Sequence, residues 1–86
     1  MKINFKEFKA FIDISHRQTT TLDVREILAN FIYTTATGIQ AHDLAFRIYR
    51  SEEAVELNPA DVDLLLQLSN GMTPIFMDSL KDALNG

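Results

Sequence analysis

Two imidazoles, His16 and His42, are the only side chains of this 86-residue chain whose ordinary pKa lies near neutrality, and the sequence has no cysteine. His42 is followed directly by Asp43, so a general base with an orienting carboxylate is the first chemistry to weigh. Neighbouring residues on a helix do not face each other, and no His/Glu pair stands at the i, i+4 spacing of a zinc-binding helix. Asp43 therefore reads as a first-turn residue favoured by the helix dipole, with His42 capping or packing beside it. None of Ser15, Ser51, Ser69 and Ser79 lies in a Gly-x-Ser-x-Gly elbow or a Ser-x-x-Lys pair. Gly38, Gly71 and Gly86 stand too far apart to cradle a phosphate. Asp61-Val62-Asp63 has the alternation of a calcium loop but lacks its glycine and closing glutamate, and Pro59 makes the segment helix. The expectation is a protein that is not an enzyme, with no catalytic residues, no metal ligands and no cofactor.

Charge is the next source of chemistry. Residues 1–50 carry seven Lys or Arg against five Asp or Glu, a net of +2, whereas residues 51–86 carry one Lys against seven acids, a net of −6. Those seven acids, Glu52, Glu53, Glu56, Asp61, Asp63, Asp78 and Asp82, are candidate partner-binding residues. They fit an acidic face for a protein partner or, as an alternative, a nucleic-acid mimic that occupies a basic groove on a host protein. Pro59 through Gly71 to Leu84 has the length and central glycine of a helix-turn-helix. Its second helix nevertheless offers Lys81 against Asp78 and Asp82, and no Arg or Asn is set to read base edges. A small nucleic-acid-binding protein using Arg17 and Arg25, with Thr19, Thr20 and Thr21 donating to phosphate, is the third reading; ordinary turn chemistry explains the same residues. Apolar residues make up 47% of the chain. Leu64 and Leu68, with Phe46 and Tyr49, are expected to remain outside a thin core as an exposed patch that binds a partner.

Helix capping supplies most of the punctuation that must position these residues. Asn58, Pro59 and Asp61 begin a helix with Leu57 placed to staple onto Val62; Val62, Leu65, Leu66 and Ser69 mark one face, and Asn70-Gly71 ends it. Thr73-Pro74 opens a second helix with Met72 and Met77 as staple and Phe76, Met77, Leu80 and Leu84 in helical register, closing at Asn85-Gly86. Thr20 or Thr21 caps a third, with Val24, Ile27, Leu28, Phe31 and Ile32 on one stripe, closed by Gly38 with Ile39 folding back toward Tyr33. From about Gln40 to Arg50 a fourth places Ala41, Leu44, Ala45 and Ile48 inward. Asn4 to Glu7 has the pattern of a capping box with Ile3 stapling Phe8, so the N-terminus reads as a fifth helix, although residues 11–15 alternate like a strand. The fold class predicted is all-α, a small bundle of four to five short helices forming one domain over residues 1–86. The alternative is α+β, with Ile12-Asp13-Ile14 and Val55-Glu56-Leu57 paired as a tiny two-stranded ribbon.

No run approaches the length of a membrane span, and the N-terminus lacks the apolar core of a signal peptide. The absence of cysteine fits a reducing cytoplasm, and it leaves oligomerisation, here a homodimer, as the route by which so short a chain gains buried area. The runs Val24-Arg25-Glu26-Ile27-Leu28-Ala29, Leu44-Ala45-Phe46-Arg47-Ile48-Tyr49, Val55 to Val62 and Thr73-Pro74-Ile75 resemble small proteins encoded by bacteriophages and prophages. The resemblance covers about two-thirds of the chain and carries over no catalytic residue. It implies a bacterial cytoplasm and a role in assembly or in contact with host machinery. The expected function is a protein–protein interaction module, homodimeric, whose partner is another protein or a further copy of itself, with neither membrane nor nucleic acid as partner.

Overall fold

Phe8 and Ala10 point one way and Lys9 the other, and this period-two alternation makes the N-terminal segment sheet instead of helix. The computed structural model describes residues 1–85. In chain order the elements are β1 (Lys2–Ile3), β2 (Phe8–Phe11), β3 (Thr19–Leu22), α1 (Arg25–Thr35), α2 (Ile39–Tyr49), β4 (Val55–Glu56), α3 (Pro59–Ser69) and α4 (Pro74–Asn85). β1 pairs antiparallel with β4, Ile3 opposite Val55, and β2 pairs antiparallel with β3, Phe8 opposite Leu22 and Phe11 opposite Thr19.

The fold is thus α+β, which corrects the all-α expectation and agrees with its alternative in class. It differs from that alternative in detail, because Val55 pairs with Ile3 and not with residues 12–14. The reason lies in Asn4. Its Oδ1 accepts from the backbone N–H groups of Lys6 (3.0 Å) and Glu7 (3.1 Å), the same bonds an N-cap makes, yet the chain turns into β2 after them. A short polar side chain satisfies nearby amides in a turn as well as at a helix start. Thr20 and Thr21 likewise lie in β3, where β-branched residues are favoured, and cap nothing. α1 begins instead beyond Asp23, whose Oδ1 accepts from the Arg25 amide at 3.1 Å.

The remaining helices follow their sequence signals. Asn58 Oδ1 accepts from the Asp61 amide (2.8 Å) and Asp61 Oδ2 accepts from the Asn58 amide (3.1 Å), a reciprocal capping box with Pro59 opening α3. α2 buries Ala41, Leu44, Ala45 and Ile48 as its spacing requires. Gly38, expected to close α1, instead opens α2 at φ 95°, a conformation that suits glycine; α1 ends at Ala36, and Ile39 is exposed. Gly86, read as part of the final stop, lies outside the described residues. The core joins Phe5, Phe8, Leu28, Ile32, Leu44, Ile48, Leu65 and Leu80, all essentially inaccessible to water. β2 lies on α4, with the Phe8 and Phe76 rings 5.8 Å apart and the Phe11 amide donating to Ser79 Oγ at 3.0 Å. β3 alone among the strands and helices places no residue in this core.

Candidate interaction surface

α1 has two flanks, set by its 3.6-residue period. Ile27 and Phe31, four apart, lie on one; Glu26, Asn30 and Tyr33 lie on the other. Each flank borders a groove. Ile27, Leu28 and Phe31 face Met72, Thr73 and Phe76 at the start of α4 across a cleft of about 270 Å³ with no charged residue in its lining. Gly71 also lines it, and a β-carbon there would stand 3.4 Å from the Phe31 ring, so its lack of a side chain keeps this end open. Ile27 forms the outer lip and is 68% exposed; Ile75 is exposed at the start of α4.

The second groove, about 260 Å³, runs between α1 and α2 and is lined by Glu26, Ala29, Asn30, Tyr33, Ala45, Phe46 and Tyr49. Phe46 meets Tyr33 edge-on at 5.6 Å and His42 at 4.8 Å, and the Arg50 guanidinium sits 4.8 Å over its ring. Tyr33 and Tyr49 are each more than half exposed. Aromatic and arginine side chains of this kind, each with an apolar body and a polar tip, dominate the energetics of protein interfaces. His42 is thus one wall of an aromatic cluster, and no group of three potential metal ligands occurs among the described residues.

The structure separates the residues singled out by charge. Asp61 is only 1% exposed: both its oxygens accept from Arg47 Nη2 (3.0 and 2.9 Å) and one also closes the capping box. It belongs to the interior and is not available to a partner, which corrects its place among the candidate contacts. Burial pulls the pKa of the Arg47 guanidinium down, but the hydrogen bonds it donates to Asp61 and Asp43 outweigh this and leave it raised. Glu52 accepts from Lys6 (2.8 Å) and lies 3.4 Å from Arg25, and the Lys6 hydrogen bond holds its carboxyl below the usual range. Glu56 lies 3.7 Å from the terminal ammonium, and Asp78 3.2 Å from His16 Nε2. Glu53, Asp63 and Asp82 are exposed and form no ion pair among the described residues. Leu64 and Leu68 are half-buried against the core instead of standing out from it. Arg25, read as a phosphate contact, is already engaged by Asp23, Glu52 and the Ser51 carbonyl.

Ile27 and Phe31, expected on the inward stripe of α1, instead border the apolar groove. The spacing gave a signal, because the stripe was too wide for one short helix to bury completely. Searches against protein-family models, characterised proteins and solved structures found no match.

Proposed function

We propose that this chain is a non-enzymatic protein-interaction module that acts as a homodimer and receives an apolar segment of a partner protein across α1. The charge-free groove between α1 and α4 carries the reading: an apolar cleft lined by Ile27, Phe31, Met72 and Phe76 desolvates at little cost when aliphatic or aromatic side chains fill it. The aromatic groove on the other flank supplies the polar-tipped contacts that fix orientation. In the setting its sequence resembles, the module works in a bacterial cytoplasm as a phage or prophage accessory or assembly protein. No helix of the described residues is long and apolar enough to cross a membrane.

Capture from a bacterial lysate on immobilised protein tests the reading when wild type is compared with Ile27→Asp and with a triple variant, Glu53→Gln, Asp63→Asn and Asp82→Asn. Because Ile27 is mostly exposed, its substitution changes folding stability by only about 0.5 kcal/mol. The expected result is a partner retained at high salt, lost with Ile27→Asp and kept by the triple variant. Loss with the triple variant alone, together with release at high salt, would contradict the groove and support an acidic mimic.

A further inference from the structure

β3 is an edge strand with none of the usual protections: Thr19-Thr20-Thr21-Leu22 has no charge, proline, glycine or bulge, and all four residues are exposed. The hydrogen-bond parity of the hairpin fixes which of its groups are unused. The Ile12 amide donates to the Gln18 carbonyl, while the Phe11 amide points the other way, to Ser79 Oγ. With Phe11 opposite Thr19, the β2–β3 bonds therefore run through Ala10–Thr20 and Phe8–Leu22. The N–H and C=O groups of Thr19 and Thr21 face outward, and among the described residues nothing is hydrogen-bonded to them.

From this edge we infer the seam of the homodimer proposed above, and the inference rests on that dimeric reading: two copies of β3 pair antiparallel about a two-fold axis at Thr20, giving a four-stranded sheet β2-β3-β3-β2. In this register Thr19 meets Thr21 of the second copy, and each pair exchanges its outward N–H and C=O groups; Thr20 meets Thr20 of the second copy as a non-hydrogen-bonded pair. The flanks also match, since Arg17 comes opposite Asp23 of the second copy, a carboxylate still about half exposed beside its own Arg25. Sliding the register by two residues sets Arg17 against Arg25 in one direction and against Thr21 in the other, so of the three only the register centred on Thr20 gives Arg17 an opposite charge. Leu22, about half exposed, comes opposite Gln18 of the second copy, so pairing covers part of an apolar side chain that the monomer leaves in water.

Analytical ultracentrifugation of the wild type and Thr21→Pro, joined with oxidative cross-linking of Thr20→Cys and Thr19→Cys, tests the seam. Proline at residue 21 removes an outward donor and no bond to β2. The chain has no cysteine of its own, so each cross-link is unambiguous. The expected result is a wild-type dimer, a monomeric Thr21→Pro with unchanged circular dichroism, and cross-linking of Thr20→Cys about tenfold faster than Thr19→Cys, because only directly opposed β-carbons lie within disulfide reach. A dimer that persists in Thr21→Pro, or equal cross-linking at the two positions, overturns the β3 seam and leaves the dimer standing. A wild type that remains monomeric at all concentrations overturns both.

Discussion

Arg47 holds three segments at one point. Its guanidinium donates from Nε to Asp43 within α2, from Nη1 to the Glu56 carbonyl in β4, and from Nη2 to both oxygens of the buried Asp61 carboxylate in α3. Removing one partner of a buried pair costs more than the pair itself contributes, because the other charge is left without compensation. Arg47→Met is therefore expected to lower stability by about 3 kcal/mol in a urea titration, whereas truncating the exposed Arg50 has little effect. The Asp61 half of this arrangement was legible from Asn58-Pro59 as cap chemistry. Its pairing with Arg47, fourteen residues away, was not, because only the packing of α2 on α3 brings them together. At Asp23, hydrogen bonds from Arg25 lower the carboxyl to about 2. A folded value below the unfolded one means stabilisation that is complete above the ordinary carboxylate range, near 4, and lost as pH falls toward 2. Unfolding midpoints measured across that interval should fall less steeply with acid in Asp23→Asn than in the wild type.

At the scale of elements, the attachment of β2 to α4 depends on Ser79. Its hydroxyl accepts from the Phe11 amide (3.0 Å) and donates to the Ile75 carbonyl one turn back along α4 (2.8 Å), at a position shielded from water. Ser79→Ala leaves the Phe11 N–H without that partner and is expected to cost about 2 kcal/mol, with amide hydrogen exchange at Phe11 accelerating more than exchange in α2. In the sequence, Ser79 was visible only as a serine lacking a nucleophile motif, because a side chain that receives a distant strand has no local signature. α3 and α4 were legible because capping residues and apolar spacing agree in each, and α2 from its apolar spacing alone. Of the strands, β4 was anticipated by the extended alternative at Val55-Glu56-Leu57, but its partner β1 is two residues long, too short for a period, and Asn4 ahead of β2 satisfies amides in a turn with the bonds of a helix cap.

Over the whole molecule, the charge asymmetry along the sequence is partly neutralised in space. Basic residues of the first half meet acids of the second at Lys6–Glu52, Arg25–Glu52 and Arg47–Asp61, so the folded surface is less polarised than the chain. Glu53, Asp63 and Asp82 stay exposed without an ion pair among the described residues, and on both flanks of α1 apolar and aromatic side chains line open grooves. Of the apolar surplus expected at Leu64, Leu68, Phe46 and Tyr49, Phe46 and Tyr49 line the groove between α1 and α2 whereas Leu64 and Leu68 pack on the core, since a helix wheel cannot tell which neighbour will cover a given face. Docking of a partner protein across α1, as proposed, is open to a photo-cross-linking amino acid placed at Ile27 and, separately, at Asp63, each in a living bacterial host. Docking at the groove gives a discrete cross-linked protein from position 27, absent when Phe31→Asp accompanies the probe, and none from position 63. A cross-link from position 63 alone, or one from position 27 that survives Phe31→Asp, would contradict it.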